Sequence, residues 1–202
     1  MSINRVFELI RKGEMILFCG AGMSIYAGYP SGAALAKLIY DSMTEEEKEN
    51  VHPNLFLPEL SEEYINLKLG KRNALLKILK DVFLVAPSDD HIHQIVTRIP
   101  QIKTIITTNY DCLFENVYGE DCNVVKSSTD IAYLQKSKTE IIKIHGDLSV
   151  PDSILISKTD YTKFFDSQTQ NVMWTIVKER LATMNVLFVG YSLEMESNFP
   201  LQ

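Results

Sequence analysis

Cysteine is scarce in this chain. There are three, Cys19, Cys112 and Cys122, an odd number with no Cys-x-x-Cys pair. A disulfide framework or a four-cysteine zinc site within one chain is thereby excluded. Long apolar runs are missing as well. None approaches the ~18 residues of a membrane-spanning helix, and the opening MSINRVFELIRKGE is too charged for a signal-peptide core. The expected setting is a reducing cytoplasm, with no membrane partner. Positive charge is in the minority, Lys+Arg 20 against Asp+Glu 26, for a net charge of −6. That balance argues against a surface built to grip nucleic acid directly. No internal repeat or low-complexity linker divides the chain. What is present, 46% hydrophobic and 23% charged residues over 202 positions, suits one folded domain with a sizeable core.

Apolar periodicity outlines the elements. Val6, Leu9 and Ile10 mark a short opening helix that Gly13 stops, and Met15 to Cys19 reads as a buried strand. Ser31 is placed to cap a helix carrying Leu35, Leu38 and Ile39, and Thr44 to Glu47 has capping-box spacing. Helical spacing returns at Leu75, Ile78, Leu79 and Val82, at Ile92 to Ile99, and at Met173 to Met184. Strand-like pieces lie at 104–107, 123–125, 140–144, 154–156 and 185–189. Strands without polar alternation, separated by helices, predict an α/β chain: a Rossmann-like (DHS-like) parallel sheet with helices on both faces. A small helical insert is expected at about 40–84, within a single domain over 1–202.

Parallel sheets bind ligands at the carboxyl ends of their strands, and four strands here end in conspicuous groups. Gly20-Ala21-Gly22-Met23-Ser24 follows the first. Small residues there let backbone N–H groups approach a pyrophosphate; equally, they make a tight strand-to-helix turn. The segment matches neither G-x-G-x-x-G nor the P-loop pattern. Thr107-Thr108-Asn109-Tyr110-Asp111 follows the second strand. The Asn109 amide suits a ribose hydroxyl or a water, or simply a turn. Asp111 either orients Asn109 or caps the next helix. His145-Gly146-Asp147 ends a later strand, and Gly190-Tyr191-Ser192 the last. His145 is either a base at neutral pH or a structural histidine on a backbone carbonyl. His91 and His93 fall on different faces of a helix, which disfavours a shared metal. Cys19 and Cys112 read as small core residues.

Together these motifs resemble the SIR2-like (sirtuin-like) family. The segment Gly28-Tyr29-Pro30-Ser31 adds to the likeness, and the motifs stand in the family's order from about residue 15 to 193. Two departures choose the branch. Pro30 is followed by Ser31-Gly32-Ala33 where protein-deacylating sirtuins carry Asp-Phe-Arg, and the zinc-binding cysteines of their small module are missing. The pattern is similar to bacterial SIR2-like domains that hydrolyse NAD, many of them anti-phage effectors. The resemblance implies NAD as substrate, no metal, and Asn109 and His145 as the catalytic pair. It also implies Gly20, Ala21, Gly22, Ser24, Thr108, Asp111, Gly190 and Ser192 as nucleotide contacts. Assembly is expected as well, as a homo-oligomer or with a sensor partner, and the chain is expected to be a stand-alone domain or a fragment of a larger protein. The competing readings are an NAD-dependent protein deacylase or ADP-ribosyltransferase, and a non-catalytic NAD or ADP-ribose sensor.

Overall fold

A computed structural model describes residues 2–167 and 172–191. Five short strands, β1 (Met15–Cys19), β2 (Thr104–Thr107), β3 (Cys122–Val125), β4 (Thr139–Lys143) and β5 (Asn185–Val189), form one sheet. The order is β3-β4-β2-β1-β5 and every pairing is parallel. The all-apolar composition of β1 follows from burial on both faces. Ile16 and Phe18 pack on one side with Ile106, Ile142, Trp174 and Val177; Leu17 and Cys19 pack on the other with Ile105, Ile141, Val96 and Phe114. Period-two alternation thus divides one apolar run between two cores.

Helix α9 (Val172–Thr183) covers the first of these faces. Helices α1 (Ile3–Arg11), α6 (His91–Thr97) and α7 (Leu113–Tyr118) cover the second. The expected Rossmann-like arrangement, with helices on both sides of a parallel sheet, is therefore present. Between β1 and β2 the chain is helical: α2 (Gly32–Asp41), α3 (Glu45–Lys48), α4 (Leu57–Leu67) and α5 (Asn73–Phe83). Helix α2 is the one that Ser31 was expected to cap, and α3 to α5 lie within the 40–84 stretch. Ser31 Oγ accepts the Ala34 N–H at 3.2 Å, and Thr44 and Glu47 form the reciprocal capping box. Both satisfy donors that a helix start leaves unpaired.

Residues 154–156, expected as a strand, do not join the sheet. Leu155 N–H donates to His145 O at 3.0 Å, so the segment folds back over the turn after β4. Ile154 and Ile156 are buried in a third core, against α2, α4 and α5. Burial explains their apolar character without any ladder. Helix α8 (Lys158–Ser167) follows. Among the described residues no helix is long and apolar enough to cross a membrane.

Candidate active site

All five strands point the same way, so their carboxyl ends meet at one edge. There a cavity of about 1400 Å³ opens between the strand ends, α2 and residues 53–58. Gly20, Ala21, Gly22 and Ser24 enter it from β1; Thr108, Asn109 and Asp111 from β2; His145 from β4; and Gly190 from β5. The structure thus brings nine of the ten sequence-predicted residues to one cavity. Ser192, the tenth, lies outside the described residues.

Asn109 is held on three sides. Its backbone N–H donates to Thr107 Oγ1 at 3.0 Å, and its Nδ2 donates to Gly20 O at 3.1 Å and Ser24 Oγ at 3.0 Å. Both amide hydrogens are used, so Oδ1 is the acceptor left for a ligand hydroxyl or a water. Thr107, which fixes this geometry, was not singled out in the sequence. Nothing in a Thr-Thr pair tells which hydroxyl turns back to the chain. Asp111 takes the capping role: its Oδ1 accepts the Leu113 N–H at 3.1 Å. Gly20 O and Ser24, rather than Asp111, orient Asn109.

The glycines after β1 have a different reason from the one expected. A Cβ at Gly20 would lie 2.7 Å from Gly190 O, and one at Gly22 would lie 2.8 Å from Gly190 Cα. Gly190 itself has φ +62°, and a Cβ there would sit 2.1 Å from Met23 N. The turns after β1 and β5 therefore touch backbone to backbone. The N–H groups of Gly20, Gly22, Met23 and Ser24 are spent on Val189 O, Gly190 O, Gly20 O and Ala21 O. Ala21 keeps the one N–H of this stretch that is not donated in that way, so the array of donors expected for a pyrophosphate narrows. Two 3-10 turns, at Ala21–Met23 and Ile25–Ala27, make the turn between β1 and helix α2.

His145 is partly buried and lines the cavity. Burial pushes its pKa down from 6.5 to about 4, so the ring is neutral at pH 7. Its Nδ1 lies 3.4 Å from Tyr161 Oη, and the two rings meet edge to face at 5.4 Å. Gly146, with φ +84°, turns the chain immediately afterwards. A Cβ there would sit 2.1 Å from Ser153 O.

Beneath this turn lies a buried ion cluster. Lys143, at 0% side-chain exposure, holds Glu115 Oε1 at 2.8 Å and Asp147 Oδ2 at 2.7 Å, and donates to Asp111 O at 2.8 Å. Lys126 adds a second cation, 3.3 Å from Asp147 Oδ1. Burial alone would push the lysine pKa down and the aspartate up; the opposite charges and hydrogen bonds win. Lys143 is held above its usual range and Asp147 well below its own. Cys112, Glu115 and Asp147 also stand close enough together to ligate a metal, but the Lys143 ammonium fills the space among them.

The remaining candidates are structural. Cys19 is buried, and its thiol pKa is pushed up to about 12 by burial and then by Asp111. Such a thiol carries essentially no thiolate at neutral pH. His91 is exposed against Asp89. His93 is fully buried, with Nδ1 2.7 Å from Tyr26 Oη, so the two rings share no ligand.

Comparison with known proteins agrees with this geometry. Residues 103–198 match the SIR2-like domain model. The chain is 33% identical over 197 residues to the protein named NAD(+) hydrolase ThsA from Enterococcus faecium, covering 94% of this chain and 39% of that protein. It is 29% identical to the ThsA of Bacillus cereus (strain MSX-D12), covering 95% and 41%. Defense-associated sirtuin 2 of Bacillus subtilis is 26% identical, with 95% of this chain matched to 19% of that protein. The chain thus spans about two fifths of the length of the ThsA relatives. These matches, the parallel sheet and the strand-end motifs together make the chain similar to the SIR2-like family, most directly over residues 103–198.

Proposed function

We propose that this chain is the catalytic unit of an enzyme that hydrolyses NAD to nicotinamide and ADP-ribose, depleting the nucleotide in anti-phage defence. One observation carries the reading. Asn109 and His145, distant in sequence, face one cavity at the sheet edge, the amide with a free acceptor and the imidazole neutral. The names of the ThsA relatives support it.

The bond to be broken sets the demands. Nicotinamide leaves as a neutral group from a cationic ring, and its ribose passes through an oxocarbenium-like state. The site must hold the ribose, favour positive charge and deliver water. Asn109 Oδ1 accepts from the ribose hydroxyl or the incoming water. His145 takes a proton from the water or the ribose hydroxyl, a role worth ~10²–10⁴-fold. With a conjugate acid near 4 it is a weak base, which suffices when departure of the leaving group runs ahead of water attack. Gly20, Ala21, Gly22, Ser24, Thr108, Asp111 and Gly190, which line the cavity, frame the rest of the dinucleotide.

The reading includes a reducing cytoplasmic setting, which the three free thiols suit. It also includes control by assembly, through further copies or a sensor partner, because an unchecked NAD hydrolase would exhaust its own cell. The test is incubation of the intact protein with NAD and separation of the products. Nicotinamide and ADP-ribose should form without any acylated peptide, and Asn109→Ala and His145→Ala should each abolish them in folded protein. Release that requires an acyl-lysine peptide, or wild-type turnover in both variants, would overturn the assignment.

A further inference from the structure

Among the described residues, the one side-chain hydrogen bond to the His145 ring comes from Tyr161, in the first turns of α8. The start of that helix is pinned by residues of α4 and the start of α5. Arg72, just before α5, forks onto Asp160 with both distances 3.1 Å, and its Nη2 reaches Ile154 O at 2.8 Å. Asp160 also accepts the Ile156 and Ser157 N–H groups at 3.1 and 2.9 Å. Glu62 of α4 accepts from Thr159 N and Thr159 Oγ1 at 2.9 and 2.7 Å. Helices α4 and α5 therefore set where α8 begins, and α8 sets where the phenol meets the imidazole. This is a contact over sixteen residues of sequence whose position depends on helices some eighty to a hundred residues upstream.

We infer that Tyr161 is a positioning residue for His145: its oxygen accepts Nδ1–H, which leaves the Nε2 lone pair for the proton in the cavity. The inference rests on His145 being the base of the proposed reaction. A histidine with no partner for either nitrogen populates both tautomers, and only one presents a lone pair at a given atom. The other charged groups around the turn are already engaged. Asp147 faces Lys143 and Lys126, Asp160 faces Arg72, and the Tyr110 hydroxyl donates to Leu155 O. Among the described residues the Tyr161 phenol is the side chain within hydrogen-bond distance of the ring. Its 3.4 Å separation is long for a hydrogen bond and shortens as the ring gains charge in the reaction.

Tyr161→Phe tests this in the intact protein, since it keeps the edge-to-face ring contact and removes only the hydroxyl. Expected are a fall in kcat of about 10-fold with KM for NAD little changed, and an acid limb of the pH profile moved to lower pH. The limb moves down because losing an acceptor of Nδ1–H weakens the protonated ring. A role in packing alone would admit water and move the limb up, toward the ordinary histidine range. A second readout needs no turnover. ¹⁵N NMR of the histidine rings should show the Nδ1–H tautomer in the parent and a mixture in Tyr161→Phe. An unchanged tautomer with unchanged kcat, or a limb that rises, overturns the inference. If the parent protein does not hydrolyse NAD, the proposed function fails, while the NMR result still judges the contact.

Discussion

Replacing Lys143 by Met should destabilise the protein severely, and in a way that acid partly relieves. The side chains are similar in length, so little cavity is created. What is lost is the cation between Glu115 and Asp147, and the donor to Asp111 O. Asp147 is 3% exposed and Glu115 17%, so water cannot replace the ammonium well. Breaking a buried pair from one side costs about 3–5 kcal/mol. In a chain of this size that corresponds to a fall of roughly 10 °C in Tm.

The pH dependence sharpens the test. In the parent, Asp147 is held below its unfolded pKa, so its contribution is present above about 3.9 and fades only as pH falls further. Without Lys143 the buried Asp147 carboxylate keeps only the more distant Lys126 as a cation, and burial then pushes its pKa up from the parent position. The penalty of the poorly paired Asp147 is then full at pH 7 and shrinks as the pH drops toward about 4.5 and it takes up a proton. Urea unfolding of both proteins at pH 7 and pH 4.5 measures the gap at each. A loss below about 1 kcal/mol at pH 7, or a gap that does not narrow in acid, would refute the picture of a buried charge cluster bracing the turn.

Three further outcomes are expected. If neutral His145 is the base, kcat/KM for NAD should stay level from pH 8 to pH 5 and fall only as pH approaches about 4, measured by nicotinamide release. Gly190→Ala, at φ +62° and with Met23 N in the way, should force apart the turns after β1 and β5; calorimetric titration should show NAD affinity reduced at least 10-fold. Tyr26→Phe should cost about 1–3 kcal/mol in urea unfolding, because His93 Nε2 already lacks a partner and Nδ1 would lose its own.

Elements governed by local rules could be read from the sequence, whereas contacts made across the fold could not. The apolar runs at Met15–Cys19 and Asn185–Val189 and the Ser31 and Thr44 caps depend on near neighbours, and they stand where expected. The strand forecast at 154–156 failed because Ile154 and Ile156 are apolar for a different reason, the core beneath α4 and α5. Asn109 and His145 stood out as polar residues at strand ends. Their supports did not. Lys143 looks like an ordinary charged residue at the end of a strand, and Tyr161 like an aromatic on an amphipathic helix. Each gains its meaning from a partner that no spacing rule connects to it. The glycines were noticed for their small size, suited to a pyrophosphate or a tight turn, and Gly20 and Gly22 are in fact required by the proximity of Gly190.

That glycine-to-glycine contact also has a consequence for biosynthesis. The ribosome delivers residue 190 long after residues 20 and 22, and β5 reaches its neighbour β1 only once nearly all of the described chain has emerged. Until then the strand-end cavity lacks one wall, however well the earlier segments have folded. If the chain hydrolyses NAD as proposed, it cannot do so during synthesis before β5 is in place, because a loop made early waits for a strand made late.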